Sequence, residues 1–379
     1  MYRIIITLAL IAIAITSAPG AAQAQAKQID VIYIAGPHYA EALQPLISWR
    51  RTAYTVDTAT PAATTEALQA QIAASGAKYA VLVGAPAELP GVQATSTLVV
   101  GGAYQTYDCI QCLSLAQDGT PLTIVSRIPV WSAAELASYV RKVITTEQAG
   151  AGSETYAAII DRETTEAGTP TDMHFAAAAA EQIAANVAYY DIQATILSAS
   201  ASNIESVRAA ARQTLANGAA VMLYSGHGAY SQWSASGIIN QADARAAKGT
   251  INLVVELACE TSREVAGSGW GSVSRNLIIA PEGGALTTIG ATATTYNDYE
   301  PTQIVPGSIT GDIYRAFWGQ AVSREVSAAD WTTVQAIDSH ASYTLYGDPL
   351  ITIPTDPRPT DPQPAPKTHR LYMPYINQR

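Results

Sequence analysis

A thiol and an imidazole stand where two apolar runs of this chain break off, and side by side they would make a nucleophile. The run Val221-Met222-Leu223-Tyr224 gives way to Ser225-Gly226-His227-Gly228. A second run, Leu253-Val254-Val255-Glu256-Leu257-Ala258, ends on Cys259. An imidazole that takes the S–H proton leaves thiolate, which is the attacking form. Glycines on both sides of His227 let the backbone turn sharply and come close to a substrate, a freedom that a core histidine does not need. In this chemistry His227 returns its proton to the leaving amine, and Cys259 carries the acyl group as a thioester. The backbone N–H groups of Gly228 and Cys259 are the expected oxyanion-hole donors, because a developing oxyanion needs fixed dipoles there. The bland alternative for Cys259 is a buried, inert thiol.

Both runs are short, apolar and rich in β-formers, so each predicts a buried strand of a parallel sheet. Thirty-two positions separate His227 from Cys259. That interval holds a loop, a helix near 241–247 and a return strand, enough for a right-handed crossover that sets the two strands side by side. Open α/β sheets place their ligands at the carboxyl ends of such strands. Glu256 is an acid in an otherwise apolar run; it needs partners, and reads as support for the end of the sheet. Further strands are expected at 29–34, 79–83, 98–100, 122–125, 156–160, 193–197 and 285–289. Helices are expected at 39–51, 64–75, 132–147, 173–190, 202–216 and 272–279. Alternating strands and helices argue for parallel α/β layers. Gly150-Ala151-Gly152-Ser153 reads as a link between a smaller α/β unit over 27–150 and a catalytic unit over 154–353.

The chain has 379 residues, 48% of them hydrophobic and only 14% charged, which is ample for a sizeable core. Residues 1–24 read as a secretory signal peptide: Arg3 leads, Ile4–Ile15 is apolar, and Ala22-Gln23-Ala24 suits cleavage. That run is too short to span a bilayer comfortably, and no later segment reaches spanning length. A net charge of −10 without any Lys/Arg cluster makes the chain a poor candidate for binding nucleic acid or anionic membrane. An extracytoplasmic protein, secreted or attached to the cell surface, is therefore expected. Outside the cytoplasm the pair Cys109 and Cys112 most simply closes a local disulfide. A zinc site would need His227 or Cys259 to join them. With that pair bonded, Cys259 is left as the odd thiol. Residues 354–368 form a Pro-rich linker, and 369–379 a tail whose apolar patch Leu371–Ile376 would dock as an edge strand or serve export or attachment.

Taken in order, several of these blocks resemble the gingipain family of cysteine peptidases, which have a caspase-like fold. The resemblance rests on Tyr79–Gly84, on Tyr107-Asp108 through Arg127-Ile128-Pro129, and on Tyr224-Ser225-Gly226-His227-Gly228 with Trp233. Ala258-Cys259, Ile289-Gly290-Ala291-Thr292 and Gly347-Asp348-Pro349 continue it. It implies a three-layer α/β/α sandwich with a mostly parallel sheet, preceded by the smaller unit, and the same dyad. It also implies that Asp108 orients His227, since the family places an acid there. This chain has Glu260-Thr261-Ser262 where the family often carries Gly, and a linker and tail instead of an immunoglobulin-like domain. Arginine-specific relatives carry an acid near Asp118, and a desolvated Lys or Arg side chain in a pocket must meet a carboxylate. Asp118, with Trp233 and with Tyr296 or Tyr299 as a wall, is the expected substrate pocket; Asp118-Gly119 is equally an ordinary turn pair. The expected function is a secreted cysteine endopeptidase acting on proteins or peptides without a cofactor, with structural calcium left open. Its rivals are a sortase-like transpeptidase using the same dyad and a catalytically silent surface binding module.

Overall fold

Apolar runs with β-branched residues become strands, and the alternating segments with caps become helices. The computed structural model describes residues 28–100, 103–116, 120–150, 155–163, 175–176, 179–180, 194–265, 269–295, 304, 307–325 and 341–354. The signal segment, the Pro-rich linker, the tail and most of the helix expected over 173–190 lie outside the described residues. Strands β1 (Val31–Ala35), β2 (Val56–Ala59) and β3 (Tyr79–Val83) come first. The pair β4 (Gln93–Val100) and β5 (Ala103–Asp108) forms a separate antiparallel hairpin before β6 (Ile124–Ile128). Then follow β7 (Tyr156–Ile160), β8 (Ala194–Ser198) and β9 (Ala219–Ser225). The two-residue strands β10 (Gly228–Ala229), β11 (Gln232–Trp233) and β12 (Ile239–Asn240) make a small sheet of their own. Last come β13 (Thr250–Leu257), β14 (Gly284–Ala291) and β15 (Tyr343–Gly347).

Ten of these strands form one sheet in the order β2-β1-β3-β6-β15-β14-β13-β9-β7-β8. The strands before residue 150 and those after it thus share one sheet, joined through β15. Within each block neighbouring strands are parallel, while β15 runs antiparallel to β14. Strand β9 is buried along its whole length, and β13 from Ile251 onward, which is why both read as unbroken apolar runs. Each large aliphatic side chain so buried contributes about 1.5–3 kcal/mol.

Helices α1 (Ala40–Arg50), α2 (Thr65–Ser75), α3 (Ala133–Ala149) and α4 (Ile204–Asn217) precede α5 (Gln241–Arg245), α6 (Val273–Ile278) and α7 (Thr310–Glu325). Local chemistry sets their starts. The Thr64 and Ser132 hydroxyls accept from Ala67 and Glu135 N–H groups, satisfying donors that a helix start leaves free. The reciprocal half of a capping box is missing at α3: the Glu135 carboxylate accepts from Trp131 N and from Arg275. A complete box stands instead at Asn240 and Asp243, at the start of α5.

The end of β15 is tied into the first block by a buried polar network. Asp348 accepts from Arg50 Nε at 2.7 Å and from Tyr33 Oη at 3.0 Å, while its own N–H donates to Tyr139 Oη. Arg50 also makes a bidentate pair with Glu147, at 2.7 and 2.8 Å. A guanidinium buried between two carboxylates fixes α1 and α3 against the end of β15, since leaving any of the three unpaired is costly.

Candidate active site

Strands β9 and β13 lie side by side, parallel, with Ser225 level with Leu257. His227 and Cys259 each follow two residues beyond that level pair, so one register delivers both to the same edge of the sheet. Gly226 N–H closes the ladder onto Leu257 C=O at 3.2 Å. The glycines then show why no side chain fits around His227. A Cβ on Gly228 would overlap the carbonyl oxygen of Cys259 and sit 2.9 Å from Ala258 Cβ; one on Gly226 would sit 2.6 Å from Tyr224 Oη. The segment after His227 therefore packs directly on the Cys259 backbone.

His227 itself is exposed to solvent, and its main chain is fixed from below. Its N–H donates to Asp161 Oδ2 at 3.3 Å, and its C=O accepts from Tyr224 Oη at 2.5 Å and from Ser234 N at 2.8 Å. The edge of the Phe175 ring meets the imidazole at 4.9 Å between centroids. Asp161 follows β7, the neighbour of β9, and its own N–H donates to Ser225 C=O.

Cys259 is half-buried and its thiol is free. Thr295 N–H donates to Sγ at 3.4 Å, and Sγ lies 3.6 Å from Thr295 C=O. Burial pushes the thiol above its ordinary value; the Thr295 contacts pull it down and the Glu260 carboxylate pushes it up. The net direction is upward, which favours the protonated thiol over the thiolate. Glu260, the next residue, sits at a left-handed φ of 58°, unusual for a residue with a side chain.

Beneath the His227 segment, fully buried Glu256 accepts from Trp233 Nε1 at 2.6 Å and meets the Ser274 hydroxyl. Burial pushes its carboxyl up to about 7, against the pull of the Ser274 and Trp233 donors. Trp233 stacks flat on Tyr224 at 4.6 Å, the same tyrosine that holds the His227 carbonyl. Glu256 thus acts through packing on the His227 segment.

The model of peptidase family C25, the gingipain family, matches residues 24–354, a span that holds all the described residues. The chain belongs to this family. It is a cysteine-type peptidase. Among solved structures, this C25 peptidase is similar to the crystal structure of the Arg specific cysteine proteinase gingipain R, with a TM-score of 0.65 and 13% identity. That match covers 86% of this chain and 78% of the other. A second structure, of a protease, matches with a TM-score of 0.64 and 14% identity, over 86% and 79%. These likenesses give the caspase-like fold. No curated protein matches the chain.

The C25 peptidase places the other expected residues as follows. Cys109 and Cys112 are disulfide-bonded. Asp108 lies 3.6 Å from the buried Arg127 guanidinium, its carboxyl raised by burial and lowered by that charge. A carboxylate that contacts the His227 main chain is Asp161, which sequence reasoning passed over although it, too, ends an apolar strand. Trp233, expected at the substrate pocket, is instead 0% exposed, because its indole is taken up by Glu256 and Tyr224. Asp118, Tyr296 and Tyr299 lie outside the described residues. No group of three or more His, Cys, Asp or Glu side chains among the described residues could hold a metal ion. No described helix is long and apolar enough to cross a membrane.

Proposed function

We propose that this peptidase is a secreted endopeptidase that cuts peptide bonds through a Cys259 thioester, with His227 as general base and acid. The observation that carries the reading is the register of β9 and β13, which brings an exposed imidazole and a half-buried free thiol to one sheet edge. His227 takes the S–H proton, and the thiolate attacks the peptide carbonyl. The oxyanion is held by the N–H groups of Gly228 and Cys259, whose backbones pack against each other. The tetrahedral intermediate expels the amine, which takes the proton from His227, and water then hydrolyses the thioester. Asp161 and Tyr224 hold the His227 backbone while this happens.

Residues 1–24 would direct export, and a disulfide between Cys109 and Cys112 suits an oxidising compartment. Peptides with Arg before the scissile bond are the first substrates to try: Asp118 would meet a cation there, and the similar gingipain R is named as Arg specific. Cys259→Ala and His227→Ala are expected to give folded proteins with no measurable cleavage of an internally quenched Arg peptide. Wild-type rates in Cys259→Ala would remove the nucleophile assignment. A product joined to an added amine would favour transpeptidation.

A further inference from the structure

Gln105 comes from the β4–β5 hairpin, outside the ten-stranded sheet, yet its half-buried side chain reaches both loops that flank Cys259. Its Oε1 accepts the N–H of Thr294 at 2.9 Å. Its Nε2 donates to Glu260 Oε1 in a short hydrogen bond. Thr294 precedes Thr295, whose N–H and C=O contact the sulfur. Glu260 follows Cys259 directly and holds the left-handed backbone that turns the chain away from it. Such a conformation persists only where the surroundings over-determine it. Glu260 is accordingly held three times, by its N–H to Ala293 C=O, by Arg263 at 2.8 Å and by Gln105.

The hairpin that carries Gln105 is itself anchored at the site. Thr292 Oγ1 lies 2.9 Å from Asp108 C=O and shares its one proton between that oxygen and Ser342 C=O, while Cys109 N–H donates to Val92 C=O at 2.9 Å and closes the base of the hairpin. One primary amide supplies a donor to one loop and an acceptor to the other. A carboxylate there could accept from Thr294 but would face Glu260 with like charge, and asparagine is one methylene shorter.

We propose that Gln105 is a positioning residue that clamps the Glu260 and Thr294 loops on either side of Cys259, so that the nucleophile's geometry depends on the β4–β5 hairpin. This rests on Cys259 being the nucleophile. The test uses the full-length oxidised protein with two readouts: kcat and KM on an internally quenched Arg peptide, and the pH profile of Cys259 alkylation by iodoacetamide. In Gln105→Ala, kcat is expected to fall about tenfold with KM within about twofold, since a small misplacement of the reacting groups lowers the rate rather than binding. The alkylation profile moves to higher pH, because Glu260 loses a donor beside the thiol. Gln105→Glu moves it further. Combining Gln105→Glu with Glu260→Gln exchanges donor and acceptor across the same bridge and restores both readouts toward wild type, which a loss of folding would not do. Unchanged kcat and an unchanged alkylation profile in Gln105→Ala overturn the clamp, as does a double variant no better than Gln105→Glu. A wild-type protein that alkylates normally but cuts no peptide would refute the peptidase reading instead, and the alkylation comparison would still decide the clamp.

Discussion

Replacing Glu256 by Gln removes a buried carboxyl from the packing beneath His227, and the size of the effect can be worked out. In the folded chain burial pushes this carboxyl up to about 7, from an ordinary 4.5. The folded state therefore holds the proton more tightly than the unfolded chain does. The resulting stabilisation is complete below about pH 4.5 and is lost as the pH rises through about 7. A gap of about 2.5 units, at about 1.36 kcal/mol each, makes this about 3 kcal/mol. Glutamine keeps an oxygen for Trp233 Nε1 and does not titrate. Urea unfolding of both proteins at half-unit steps from pH 4.5 to 7.5 checks it, because the difference between them cancels all other groups. The stability of wild type minus that of Glu256→Gln should fall by about 3 kcal/mol over this range, most of it between pH 5 and 7. A difference flat to within about 0.5 kcal/mol, or one that grows with pH, refutes a protonated, buried Glu256.

Gly228→Ala is expected to remain folded and lose at least about a hundredfold in kcat, since its Cβ would press on the Cys259 carbonyl; activity assays beside a thermal melt decide it. Asp161→Ala strips the acceptor from the His227 and Arg162 N–H groups, and should lower stability by about 2 kcal/mol and kcat by about tenfold. Unchanged kcat would show that Asp161 does not hold the histidine segment. Arg50→Ala leaves Asp348 and Glu147 without their cation and should cost about 3–5 kcal/mol in urea unfolding, with a loss below about 1 kcal/mol contradicting the network.

What could be read from the sequence was whatever local chemistry decides. Strands β9 and β13 announce themselves as unbroken apolar runs, and Thr64 and Ser132 mark helix starts because capping involves only neighbouring residues. The pairing of β9 with β13 followed from the length of the interval between them. Which acid approaches His227 did not follow, because it depends on β7 lying next to β9, a matter of sheet order. Asp161 carried the same signal as Cys259, a reactive side chain ending an apolar run. Trp233 illustrates the opposite difficulty: an indole near a catalytic block looks like a pocket wall, and only Glu256 on another strand makes it a buried donor. Gln105 bore no signal, since its partners lie at positions 260 and 294. Strand β15 was expected only as a family landmark at its end, not as the strand joining the two blocks.

That strand has a bearing on how the enzyme comes into being. Last of the described strands in chain order, β15 stands fifth in the ten-stranded order, between β6 and β14. Until residues 343–347 have emerged from the ribosome, β6 and β14 each keep an open edge, the kind of edge that invites aggregation. Joining β6 to β15 closes a loop of more than two hundred residues, so the step is non-local and slow compared with forming either block. Completion of the sheet is thus a late event in maturation. Residues 343–347 act as a keystone: a chain interrupted before Tyr343 would hold His227 and Cys259 in a half-sheet whose β14 side stays unsealed.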